Sequence, residues 1–109
     1  MTYEEIVDKV RGIYEDADAR MIFEHVAIQI NIVGEGSGIL YLEVAHRQIC
    51  VEPYDYYDRD GILECDATAV CDIFDNKLTV WEALDQGRIH YYGNWDKLNL
   101  LKKIVKKDF

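Results

Sequence analysis

Proline is almost absent from this chain, with one residue in 109, and there is no run rich in serine or glycine. A linker between two domains needs such a run, so the length and composition point to one domain over residues 1–109. The chain has three cysteines, Cys50, Cys65 and Cys71, and no CxxC pair. An odd, unpaired set argues against a disulfide framework and fits a reducing compartment. Long apolar runs are missing too. Nothing approaches the ~18 residues that span a bilayer, and the start, MTYEEIVDKV, lacks the apolar core of a signal peptide. The expected location is cytoplasmic. Positive charge is scarce: net charge is -9. Residues 1–93 carry 7 basic and 19 acidic side chains, and residues 94–109 carry 5 and 2. A surface this acidic repels a phosphate backbone, which excludes nucleic acid as a natural partner.

Catalytic and metal-binding patterns are equally scarce. GxSxG, GxGxxG and a Walker-type phosphate loop do not occur. The run Gly34-Glu35-Gly36-Ser37-Gly38 lies between two strand patterns, not before a helix, so it offers no helix N-terminus to an anion. His25, His46 and His90 are scattered singly, whereas a zinc site needs ligands that converge at short spacings. Asp55, Asp58 and Asp60 lack the glycine and the final glutamate of a calcium loop. No metal, no cofactor and no catalytic residue is expected, and the chain does not read as an enzyme. Cys50 or Cys71 as a nucleophile has no local motif behind it.

What is present is a clear alternation of periods. Thr2 and Glu5 form a capping box, and Ile6, Val10, Ile13 and Ala17 recur at helical spacing over residues 3–18. Acidic residues Glu15, Asp16 and Asp18 oppose the dipole at that helix's end, so it should fray early. Residues 22–33 switch to period two, with Val26, Ile28, Ile30 and Ile32 on one face and His25, Ala27, Gln29 and Asn31 on a partly wet one. A glycine turn leads to a returning strand, 39–45, and His46-Arg47 turns into a third at 48–52. Tyr54–Gly61 is a polar aromatic loop, either a stacking surface or a wet sheet edge. Residues 62–67 form a fourth strand with Leu63, Cys65 and Ala67 inward.

From Asp66 to Asn94 the chain is unusually apolar for its covering helices. Thr68 is placed to cap a short helix with Val70, Ile73 and Phe74. Thr79 and Glu82 form a second capping box, before Trp81 and Leu84, and Gly87 sits at a C-cap. Residues 88–92 give a fifth strand with Ile89 and Tyr91 inward. Asn94 caps a last helix over 95–107, with Trp95, Leu98, Leu101 and Val105 on one side. Its lysines, Lys102, Lys103, Lys106 and Lys107, suit the dipole there. They either bring the domain transiently to an anionic membrane surface or form a solvated helix end.

Three segments carry a family resemblance: Cys65-Asp66-Ala67-Thr68, Asp75-Asn76-Lys77-Leu78-Thr79-Val80-Trp81-Glu82-Ala83-Leu84, and Gly87-Arg88-Ile89-His90-Tyr91-Tyr92-Gly93-Asn94. With the strand pattern from Val26 onward, the chain resembles the sterol carrier protein 2 (sterol-binding domain) family, as a small standalone member of bacterial type. Asn76-Lys77 stands where Gly-Lys is usual, and asparagine also tolerates a left-handed conformation. The resemblance implies an α+β fold: a five-stranded, mainly antiparallel (mixed) sheet with helices packed on one face. It also implies a non-catalytic lipid carrier that holds a fatty acid, an acyl-CoA or a sterol-like molecule in a hydrophobic tunnel. The tunnel-lining positions carried over are Val70, Ile73, Phe74, Trp81, Leu84, Tyr91, Leu98 and Leu101. Trp81 and Trp95 are bulky enough to fill a tunnel. The alternative is therefore an accessory or homodimerising domain with a filled core, using the strand face of Ile39, Tyr41 and Ala45.

Overall fold

The computed structural model describes residues 2–14, 17–55 and 57–105, with the backbone alone at Phe74. The elements run α1 (Tyr3–Tyr14), β1 (Val26–Val33), β2 (Gly38–Ala45), β3 (Gln48–Glu52), β4 (Gly61–Asp66), α2 (Ala67–Phe74), α3 (Val80–Asp85), β5 (Ile89–Gly93) and α4 (Trp95–Leu100). A single 3₁₀ turn, Leu101–Lys103, follows α4. The strands form one sheet in the order β3-β2-β1-β4-β5. The β1–β4 pair is parallel and the other three are antiparallel, so this is a mixed α+β fold.

Register follows the period-two pattern. Ile28 faces Leu42, Ile30 faces Leu40 and Leu63, and Ile32 faces Cys65, while Leu63 and Cys65 in turn face Tyr91 and Ile89. These residues fill one face of the sheet and are buried together with Ile6, Val10 and Ile13 of α1. A two-residue turn at His46-Arg47 joins β2 to β3, and both residues have positive φ, 53° and 64°. That is the twist a tight hairpin requires, adopted here without glycine.

A parallel pair needs a crossover. After Glu52 the chain passes from the β3 edge back across β2 and β1 to start β4. It runs over the face away from the helices, where the rings of Tyr54 and Tyr41 meet edge-on at 5.6 Å. Asp60 then closes on Ala27, donating its N–H to the Ala27 carbonyl (2.7 Å) and accepting the Ala27 N–H on its carboxylate (2.8 Å). The partly wet face expected for β1 is drier than its residues suggest: Ala27 and Gln29 are buried, as is Tyr41 on β2, while His25 is exposed and Asn31 half-buried. The Gln29 amide is satisfied by donating to the Asn31 side chain at 2.8 Å, as a buried polar group requires.

Three further expectations are corrected. Asp66, not Thr68, caps α2, accepting the Ala69 N–H at 2.7 Å. The helix begins one residue after the strand, so Ala67 is its first residue and Thr68 is exposed. The last helix stops at Leu100, because the chain tightens into the 3₁₀ turn and Val105 then pairs with Asp18. Val105 and Trp95 are consequently exposed, and Leu98 alone of the expected apolar stripe is fully buried. The first helix ends at Tyr14; Glu15, Asp16, Lys106 and Lys107 lie outside the described residues.

Other local signals match. Thr2 and Glu5 exchange both capping-box bonds (2.9 and 3.2 Å), and so do Thr79 and Glu82 (3.0 and 3.0 Å). Asn94 caps α4, and Gly87 takes the left-handed conformation after α3.

Candidate functional site: an apolar cavity beneath Trp81

Between the sheet and the covering helices lies an apolar cavity of about 90 Å³. Its floor is the inner face of the sheet, with Ile28, Ile30 and Leu42 on one side and Leu63, Cys65 and Ile89 on the other. Val70 and Ile73 of α2 and Val80 and Trp81 of α3 form the cover, and Tyr14, Leu101 and Ile104 close the end. The cavity follows from short helices. α2 has eight residues and α3 has six, and an intervening turn joins them. Asn76 makes that turn with a left-handed φ of 61°. Two such helices cannot tile the sheet as one long helix would.

The positions predicted from sequence divide into groups. Val70, Ile73, Trp81 and Leu101 come together on the cavity. Leu84 and Tyr91 line an adjoining surface groove with Trp81, Trp95 and Tyr92. Leu98 is fully buried in the core beside them. The side chain of Phe74 lies outside the described part. Sequence reasoning left out the floor residues and the closing side chains Tyr14, Val80 and Ile104. The floor was readable from the strand alternation, since every floor residue was placed inward. Tyr14 gave a weaker signal: it lies four residues after Val10, one position off the stripe that was traced.

The wall around Trp81 is partly polar on its outside. Trp81 Nε1 donates to Asn99 Oδ1 at 3.1 Å, and the Lys102 ammonium sits 4.6 Å from the indole centroid. A cleft of about 390 Å³ lies beyond, bordered by Asn76, Lys77, Thr79, Glu82 and Lys102. Six side chains, Tyr14, Ile73, Val80, Trp81, Leu101 and Ile104, face both the cavity and this cleft and so separate them.

Titratable groups at the cavity are held neutral. Burial pushes the Tyr14 phenol up to about 12, and burial, with help from Asp66 and Glu64, pushes the Cys65 thiol up to about 12. A thiol at that value is not a nucleophile near neutral pH. Cys50 and Cys71 are half-buried. Among the described residues, no group of three His, Cys, Asp or Glu side chains converges as a metal site would need. His25 is instead paired with Glu43 at 2.6 Å on the surface. No helix of the described chain is long and apolar enough to cross a membrane.

Comparison with known proteins gives structural neighbours only. No family model and no curated protein sequence matches the chain. Sterol carrier protein 2 like 2 from Aedes aegypti superposes with a TM-score of 0.59 and 22% identity over 90% of this chain and 87% of that one. The solution structure of the palmitated protein gives 0.60 and 23%, over 93% and 91%. The sec-alkylsulfatase Pisa1 from Pseudomonas sp. contains a matching region, with a TM-score of 0.64 and 13% identity over 78% of this chain. The match spans only 13% of the sulfatase. The chain therefore has the sterol carrier protein 2-like fold, as the resemblance implied.

Proposed function

We propose that the chain is a non-catalytic binder or carrier of an apolar, lipid-like molecule, held between the sheet and the helices. The observation that carries this reading is the cavity, lined mostly by apolar side chains and placed under Trp81, in a fold shared with sterol carrier proteins. Val70, Ile73, Trp81 and Leu101 are the contact residues, with Phe74, Leu84, Tyr91 and Leu98 as the surrounding wall. We take residues 1–109 as one domain working in the cytoplasm without cofactor or metal. Contact with a membrane surface through Lys102 and Lys103 is transient and serves loading. Ligand pockets usually occupy ~300–1,000 Å³, so a cavity of about 90 Å³ takes a chain only after its cover moves. Native mass spectrometry of gently purified protein, together with displacement of a fluorescent fatty acid, tests the proposal. Co-purified lipid and saturable binding are expected; a clean apo mass with no fluorescent binding contradicts it.

The small volume favours a second reading, an accessory or dimerising domain with a filled core. Of its proposed interface, Ile39 remains exposed, but Tyr41 is already covered by Tyr54. Light scattering at high concentration separates the two readings, since a monomer removes the dimer.

A further inference from the structure

The cleft outside Trp81 differs from the rest of the surface in charge. The chain is strongly acidic, yet this rim presents two ammonium groups, Lys77 and Lys102, beside one carboxylate, Glu82. Glu82 is turned toward the α3 cap, where its Oε1 accepts the Thr79 N–H at 3.0 Å. Neither lysine enters an ion pair among the described residues, and Lys102 rests on the face of Trp81. The same six side chains that wall the cleft also wall the apolar cavity. One end of the site is thus cationic and wet, and the other is apolar.

Resting on the reading of the cavity as a lipid site, we propose that the cleft seats an anionic head group. The site takes a single-chain amphiphile whose carboxylate or phosphate monoester pairs with Lys77 and Lys102 and whose tail passes Trp81 into the cavity. Head and tail are coupled through the indole. Two contacts hold Trp81 over the cavity, the hydrogen bond to Asn99 and the ammonium of Lys102. An anion that draws Lys102 to itself removes one of them, which frees the indole to swing as the tail arrives. A neutral amphiphile of equal length gains no such release.

The test uses the full chain carrying Trp95→Phe, so that Trp81 is the sole tryptophan. Dodecanoate, dodecyl phosphate and dodecan-1-ol are titrated below their micelle concentrations while Trp81 emission is followed. Both anions should shift the emission saturably, and the alcohol should bind about tenfold more weakly, as two exposed ion pairs allow. The stronger anion identifies the head group. Replacing Lys77 alone (K77Q), which leaves the Lys102 contact on Trp81 in place, should lower the affinity for the anions about threefold and leave the alcohol unchanged. Alcohol binding equal to that of the anions, or anion binding indifferent to Lys77, overturns the head-group site and leaves the lipid cavity standing. Binding of none of the three overturns the lipid reading itself, and the head-group site with it.

Discussion

Over the β3-β2-β1 side of the sheet, α1 buries Ile6 and Val10 completely, and Leu40, Val44 and Val51 beneath are equally inaccessible. Arg11 pins the helix to the sheet edge, donating to the Val51 carbonyl at 3.0 Å and pairing with Glu52 at 3.2 Å. Over β4, β5 and the adjoining stretch of β1 and β2 that carries Ile28, Ile30 and Leu42, the cover is made of short helices and a 3₁₀ turn. There Val80, Trp81, Leu84, Leu101 and Ile104 remain only half-buried, and the cavity opens beneath them. One sheet thus carries a close-packed half and a loosely covered half. Protein interiors are normally filled to crystal-like density, so the place where that rule is relaxed is where a ligand has room to enter. On the proposed reading, the first half supplies stability and the second supplies the site whose cover moves.

Breaking the packed half should cost most. Ile6→Ala or Val10→Ala is expected to lower unfolding free energy by ~2–5 kcal/mol, as for a buried aliphatic truncated in a rigid core. Urea titrations measure this, and a loss below ~1 kcal/mol would erase the contrast between the halves. Trp81→Ala should cost less, about 1–2 kcal/mol, because the indole is partly solvated and the loose half can relax. The same variant joins cavity and cleft, so its uptake of a fluorescent fatty acid should rise. If Trp81→Ala costs as much as Ile6→Ala, the indole is a core plug. Asp66→Ala removes the cap of α2, with an expected loss of ~1 kcal/mol. Restoration by Asn in place of Ala at that position would tie the loss to the cap.

The smallest effect is set by pH. Burial pushes Tyr14, Tyr41 and Tyr91 up to about 12 in the folded chain, against an unfolded value near 10. The stability they carry is fully present below pH ~10 and is lost as pH rises toward about 12, since the unfolded state gives up these protons first. The phenolate absorbance of Tyr14, Tyr41 and Tyr91 should therefore appear together with unfolding, not ahead of it. At the acid end, hydrogen bonding to Lys9 lowers the Asp75 carboxyl. That contribution is present above the ordinary aspartate value and fades as pH falls through the lowered one. Asp75→Asn should flatten the acid limb slightly, because the pair is at the surface.

Much of this arrangement was legible in the residues, because local chemistry decided it. The third strand spans Gln48–Glu52 as expected, and Thr2, Thr79, Asn94 and Gly87 do the capping their types suggest. Asn76 takes the left-handed turn that its place in the resemblance required. The misses were non-local. Nothing in the alternation of β1 shows that Asp60, 33 residues on, will close over Ala27. The end of α4 was overruled by the pairing of Asp18 with Val105, two residues 87 apart in the chain. Thr68 and Asp66 are both good caps, and the β4 register chose between them by ending the strand at Asp66. For the site, the inward positions of the covering segments were found. The separation of Leu84 and Tyr91 from the cavity depends on how α3 tilts over β5, which periodicity does not encode.

The contrast between the two halves is tested most directly by following backbone amide shifts while dodecanoate is added to the isotope-labelled chain. Saturable shifts concentrated at Val70, Ile73, Trp81 and Leu101, with α1 from Ile6 to Ile13 unmoved, are the predicted result. Shifts centred on α1, or no saturable shift anywhere, would contradict the claim that the loosely covered half is the binding site.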